Sequence, residues 1–177
     1  MPMRHPPLPD VWLVSDARND DRLEQVLKRL PRGSGLIFRH DHLDPASRRA
    51  RWTSLARLAR ARGHVVALRW TSGGARRLRA DAAYGPPAML ARGPAIMRLV
   101  TVHCLREIAM ARRARADAVL LSPVYPTRSH PGAKLLGPSR FRLLAARAKV
   151  PVIALGGMSK RGSRALMWKK WAAIDGI

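Results

Sequence analysis

The sequence predicts an α/β fold, a (β/α)8 TIM-barrel-like domain of parallel strands, trimmed and with the last helix missing. Three observations lead there. Short apolar runs of strand length alternate with amphipathic segments of helix length along the whole chain, the pattern of a parallel sheet covered by helices. Eight such runs can be counted, the number that closes a barrel. One of them, Val152 to Leu155, is wholly apolar and ends in Gly156-Gly157, as a strand buried on both faces does where it enters a βα turn. Barrels of this kind typically take about 250 residues. This chain has 177, so its early helices must be short. A doubly wound open sheet is the alternative, favoured if the fourth run is not a strand.

Val11 to Ser15 is the first strand, ending at Asp16. Asp20-Asp21 open a helix from Arg22 to Leu30, whose Leu23, Val26, Leu27 and Leu30 follow the i, i+3, i+4, i+7 spacing of one buried face. Leu36 to Arg39 is the second strand. Asp44-Pro45 caps a long helix reaching about Arg62, which Gly63 stops. Val65 to Leu68 is the third strand, Gly74 to Arg79 a short basic helix, and Ala82 to Tyr84 a weak fourth strand followed by irregular Gly85-Pro86-Pro87. Leu99 to Val102 is the fifth strand and Leu105 to Arg115 its helix. Ala118 to Ser122 is the sixth, followed by a long loop from Pro123 to Gly137. Ser139 to Ala148 is a helix, Val152 to Leu155 the seventh strand, Arg161 to Lys170 a helix, and Trp171 to Ile174 the eighth strand. Residues 1–10 read as a disordered N-terminal tail and residues 11–177 as one domain.

Composition narrows the function classes. A hydrophobic content of 47% argues against general disorder. No run approaches the roughly 20 apolar residues of a membrane span, and Met1 to Pro7 lacks the apolar centre of a signal peptide. The single cysteine, Cys104, cannot form an internal disulfide, so a cytoplasmic location is expected. The net charge of +23 implies anionic partners: a small phosphate or diphosphate compound, nucleic acid, or an acidic surface. The arginines are spread over the chain, with no zinc-finger spacing and no aromatic RNA-binding motif, so nucleic acid is the less favoured partner. A homo-oligomer is compatible with the sequence.

Gly156-Gly157 is the strongest local signal for a site. Glycines at the carboxyl end of a buried strand let backbone approach a ligand, and their N–H groups, with the next helix start, can cradle a phosphate. The same pair also suits a tight turn that simply needs glycine, and the sequence leaves both readings open.

The later half resembles a known family. Thr101-Val102-His103-Cys104-Leu105-Arg106-Glu107, then Asp117 to Thr127 with its Ser122-Pro123-Val124-Tyr125-Pro126-Thr127 ending, then Val150 to Met158, and last Trp171-Ala172-Ala173-Ile174 are similar, in order and spacing, to the thiamine phosphate synthase and TenI family. The resemblance implies a (β/α)8 barrel with its site at the carboxyl ends of the strands. It also implies binding of a thiazole phosphate and, in synthases, its joining to a pyrimidine-methyl diphosphate with magnesium assisting loss of pyrophosphate.

Position by position the resemblance is partial. Of the family's Gln-Leu-Arg-x-Lys on the second strand only Arg39 is kept. Leu68 and Arg69 stand where the family has Asn-Asp, so no cofactor is expected: the place of a magnesium carboxylate is Arg69. Arg39 and Arg69 could bind phosphate directly as guanidinium forks, or form structural pairs with Asp41 and Asp16 at the barrel mouth. The loop residues Thr127, Ser129 and His130, the pair Gly156 and Gly157, and Ile174 of the last strand take the family's substrate and phosphate positions. Asp175 replaces a serine, and Pro123 replaces the tautomerase histidine. The candidate catalytic residues are Arg39 and His103.

Three functions follow as expectations. The first is a divergent thiamine phosphate synthase. The second is a TenI-like relative that binds a thiamine-related phosphate without the condensation. The third is a basic nucleic-acid or anionic-surface binder on a barrel scaffold. The missing family residues favour the second over the first; Gly156-Gly157 and Thr127 favour both over the third.

Overall fold

The computed structural model describes residues 6–128, 132, 134–175 and 177. Eight parallel strands pair in chain order and close on themselves: β1 (Val11–Val14), β2 (Gly35–Phe38), β3 (Val65–Arg69), β4 (Ala82–Gly85), β5 (Met97–Val102), β6 (Ala118–Leu121), β7 (Val152–Ala154) and β8 (Trp171–Ala173). β8 returns to β1 with Val11 opposite Trp171 and Leu13 opposite Ala173, so no edge strand is left and the open-sheet alternative is excluded. The weak fourth strand is a full member. All four of its residues are buried, and it pairs with both β3 and β5. Its alanines and glycine score poorly as strand formers, but inside a barrel burial outweighs that preference.

The helices are α1 (Leu23–Arg29), α2 (Pro45–Ala61), α3 (Ser72–Arg77), α4 (Pro87–Leu90), α5 (Leu105–Arg113), α6 (Gly137–Ala145) and α7 (Lys160–Leu166). α3 has six residues and α4 only four, which is where the chain economises. No helix follows β8 among the described residues.

Several boundaries differ from the sequence expectation. Asp20-Asp21 do not open the first helix. A 3-10 turn from Ala17 to Arg22 precedes it, capped by Asp16, whose side chain accepts from Arg18 N–H. Gly85-Pro86-Pro87 is not irregular throughout: Pro87 starts α4, its fixed φ suiting a first helical turn. α6 ends at Ala145 rather than Ala148, and α7 at Leu166 rather than Lys170, because Met167 takes a left-handed conformation with φ 49°. Residues 8–10, placed in the expected tail, are fastened to the barrel. Lys170 Nζ donates to Leu8 O at 3.1 Å, Trp12 Nε1 to Pro9 O at 3.1 Å, and Trp171 N–H to Asp10 O at 2.8 Å.

Strand pleating sorts side chains between two cores. Leu13, Leu36, Phe38, Val66, Leu68, Val100, Val119 and Leu121 face outward and pack under the helices, with Trp52 and Leu55 of α2 among their partners. Trp12, Val14, Ile37, Val65, Ala67, Ala82, Tyr84, Leu99, Leu120 and Ile153 fill the barrel interior. Trp12 is fully buried, and Gly35 of β2 exists to admit it: a Cβ there would stand 2.1 Å from the indole.

Candidate functional site

The two-residue period that fills the interior also builds the site. Continued to the carboxyl ends of the strands, the inward positions are Arg39, Arg69, Tyr84, Thr101, Ser122, Leu155 and Ile174, and every one of them lines a single cavity of about 1000 Å³ at the barrel mouth. Arg22, His103, Thr127, Arg128, Lys134, Gly156, Gly157 and Asp175 complete its wall. Asp175 is the one carboxylate among the described lining residues, against five Arg and Lys side chains, so the mouth is cationic.

Of the expected site residues, Arg39, Arg69, His103, Thr127, Gly156, Gly157 and Ile174 are thus brought together. Ser129 and His130 lie outside the described residues.

Both arginines are ion-paired. Arg39 bonds Asp16, which also accepts from Arg18 Nε at 2.9 Å; Arg69 bonds Asp41, which accepts from Arg48 at 3.2 Å. Burial alone would raise the Asp16 carboxyl, but hydrogen bonds from Arg18 and Arg39 outweigh it and hold the pKa down at about 2. Arg18 reaches on to Asp175 at 3.6 Å. That contact explains how a carboxylate is tolerated where the resemblance places a serine.

The two pairs do not exhaust the guanidiniums. Arg39 and Arg69 each bond through one terminal nitrogen, and their remaining N–H groups have no partner among the described residues. Each side chain keeps part of its surface open, 25% and 32% respectively. Pairing with Asp16 and Asp41 and facing a ligand are therefore compatible roles.

Beneath Arg39 runs a polar relay that sequence reasoning missed. Arg39 N–H donates to Ser15 Oγ at 2.8 Å, and the same oxygen lies 3.1 Å from His40 Nδ1. His40 Nε2–H then donates to Asp20 at 2.7 Å, and Asp20 also accepts from Arg51 at 2.7 Å. Ser15 and His40 are fully buried, outside the cavity wall, so the relay anchors the end of β2 rather than meeting a ligand.

His103 is held by its first ring nitrogen. Nδ1 lies 2.8 Å from Ser122 O, and a carbonyl only accepts, so Nδ1 carries the proton and Nε2 is the basic nitrogen. Glu107 accepts from the His103 backbone N–H at 2.6 Å and so closes the first turn of α5.

The glycine pair has a packing reason as well as an open face. Gly156 and Gly157 have φ of 90° and 62°; a Cβ on the first would meet Pro123 Cα at 2.7 Å and on the second Pro126 O at 2.4 Å. The loop after β6 is strapped to the same backbone, Tyr125 N–H donating to Gly156 O at 3.0 Å. The N–H groups of Gly156 and Gly157 have no partner among the described residues. Ser159 caps α7, accepting from Gly162 N–H at 3.1 Å.

The carboxylates do not fit a magnesium cage. Asp16 and Asp41 are each bonded by two arginines, and the described residues hold no group of three or more His, Cys, Asp or Glu able to share an ion. No helix of the described chain is long and apolar enough to cross a membrane.

Comparison with known proteins places this geometry. Residues 90–177 match the family model described as thiamine monophosphate synthase. The second half of the chain is thus similar to the thiamine phosphate synthase/TenI family. The chain is 30% identical over 77 residues to the thiamine-phosphate synthase of Pyrococcus furiosus, and 34% identical over 80 residues to that of Geobacillus thermodenitrificans. Each match covers 44% of this chain but 36% and 35% of those proteins. The chain therefore aligns with little more than a third of the length of these curated relatives. In structure it resembles a thiamine phosphate pyrophosphorylase from Pyrococcus furiosus, with a TM-score of 0.78 over 93% of this chain and 84% of that one. At 20% identity that likeness shows the fold alone, a barrel that takes in both halves of the chain.

Tyr84, Lys134, Arg22 and Asp175 line the site without having been singled out as ligand-binding residues. Tyr84 carried a usable signal. It falls on the inward parity at the end of a strand, two residues after Ala82.

Proposed function

We propose that the protein is a divergent, metal-independent thiamine phosphate synthase. In this reading a thiazole phosphate sits at the Gly156-Gly157 end of the mouth and a pyrimidine-methyl diphosphate at the Arg39–Arg69 end. The observation that carries it is the two-cornered cavity: free backbone N–H groups on the β7 side face two half-open guanidiniums on the β2–β3 side across about 1000 Å³. A space of that size has room for two small ligands.

The chemistry asked of the residues is modest. The C–O bond to the diphosphate breaks, the thiazole nitrogen forms the new C–N bond, and pyrophosphate leaves. Arg39 and Arg69 would neutralise charge growing on the leaving oxygens, and the cradle would hold the thiazole still for attack. His103 Nε2, facing the mouth, would serve orientation.

A second reading, binding without condensation, is favoured by one feature: the carboxylates Asp16 and Asp41 are committed to arginines. The test is to incubate the protein with both substrates in chelator and assay thiamine phosphate, alongside complementation of a synthase-deficient strain. Product and growth support the synthase. Binding of thiazole phosphate without product selects the second reading, and no binding removes both.

A further inference from the structure

We infer that the Tyr84 hydroxyl is a ligand-binding donor, forming with Arg39 and Arg69 a metal-free subsite for a compact polyanion. The inference rests on an anion occupying the Arg39–Arg69 corner, as in the function proposed above, and adds the group that fixes it there.

Tyr84 lies on the inward side near the end of β4, paired in register with Arg69 of β3, and lines the cavity together with Arg39 and Arg69 while only 4% of its surface is exposed. Its hydroxyl has no hydrogen-bond partner among the described residues. The ring is buried but the hydroxyl oxygen is not among the buried unpaired polar atoms, so it opens on the cavity, where a bound group can reach it. The charged groups around it show what is missing. Arg39 and Arg69 offer only donors, so the hydroxyl cannot donate to them. The one carboxylate in reach, Asp41, is taken by Arg69 and Arg48. The absent partner is therefore an acceptor, and two flanking cations select an anionic one.

The protonation state agrees. Burial pushes the phenol pKa up, partly offset by Arg39 and Arg69, so the hydroxyl keeps its proton at neutral pH and can donate it into a hydrogen bond. Two guanidinium forks and one O–H match several oxygens of a phosphate or diphosphate at once. The phenol and Arg69 thus occupy a corner where a carboxylate–metal pair would otherwise hold the anion.

The test is Tyr84→Phe, which removes one oxygen and leaves the ring that fills the barrel. Affinities for inorganic pyrophosphate and for thiazole phosphate are measured by calorimetry in chelator, together with the ligand-free melting temperature. Pyrophosphate should bind roughly ten- to a hundred-fold more weakly, as for loss of one hydrogen bond to a charged group. Thiazole phosphate affinity should hold, and the melting temperature should stay, because the packed ring is kept and the hydroxyl bonds no described residue. Unchanged pyrophosphate affinity overturns the inference. So does a variant that melts several degrees lower or fails to fold, because the hydroxyl is then structural. Wild-type protein that binds thiazole phosphate but not pyrophosphate overturns it too, leaving the glycine cradle standing. The reverse outcome, with pyrophosphate bound through Tyr84 and thiazole phosphate ignored, removes the cradle and keeps this subsite.

Discussion

Arg39 and Asp16 are ion-paired across the rim of the barrel, one following β2 and the other capping the turn after β1. Through Arg18 the pair extends to Asp175 after β8, so charges alternate along one side of the mouth. Asp20 and Glu24, bonded by Arg51, lie behind it with lowered pKa values of their own.

This network makes the fold acid-sensitive. Asp16 is depressed from 3.8 to about 2, so its stabilising contribution is complete above its unfolded value and is lost as pH falls through the folded one. Denaturant midpoints should decline between about pH 5 and pH 2. Asp16→Asn should flatten that decline and lose about 1–3 kcal/mol at neutral pH, the range of a charged hydrogen bond. A variant with the wild-type acid profile would show that the pairing is not energetically coupled to folding.

Asp175→Ser should tighten phosphate binding. It removes the one lining carboxylate and leaves Arg18 with Asp16 as its other partner. The expected gain is a few-fold at low salt and should shrink as ionic strength rises, since the charges at the rim are screened. A gain indifferent to salt would point to shape rather than charge.

Gly35→Ala tests the barrel floor. Its Cβ would fall 2.1 Å from Trp12 Cε3 with the indole fully buried, so the strand or the ring must move. A loss of about 1–3 kcal/mol is expected from overpacking, read from the denaturation midpoint. Full stability would mean that Trp12 has another rotamer available.

Asn19→Ala tests the seam. The buried amide donates to Val14 O at 3.0 Å and Ile174 O at 2.9 Å, tying β1 to the end of β8, while its oxygen accepts from Asp16 N–H at 2.9 Å. Removing all three should cost about 1–3 kcal/mol and speed hydrogen exchange in β1 and β8 first. Uniform exchange changes across the barrel would argue against a local clasp.

Pyrophosphate affinity should be the same with and without chelator. Arg69 stands where a metal carboxylate would be needed, and Asp41 is already bonded to it. Loss of binding on chelation would identify a metal site built from other residues.

The fold was legible because the strands are written in apolar runs whose order survives any error at their ends. Pairing of the two arginines with Asp41 and Asp16 was legible as one of two alternatives, since all four lie at strand ends that share a rim; which carboxylate meets which arginine only the structure shows. What escaped depended on distance. Nothing in the local sequence marks His40, yet it is fully buried and bonded to Ser15 and Asp20, contacts 25 and 20 residues away. Helix ends at Ala145 and Leu166 were misplaced because local periodicity does not show where the backbone leaves the helix, as it does at left-handed Met167. The reason for Gly156-Gly157 was only half visible, since the sequence cannot show Pro123 and Pro126 pressing on them.

Trp12 sits in the floor of the barrel with Leu8 beside it, its indole N–H anchored on Pro9. The interior is consequently a cup and not a tunnel. Whatever enters over the rim must leave over the same rim, past the same arginines.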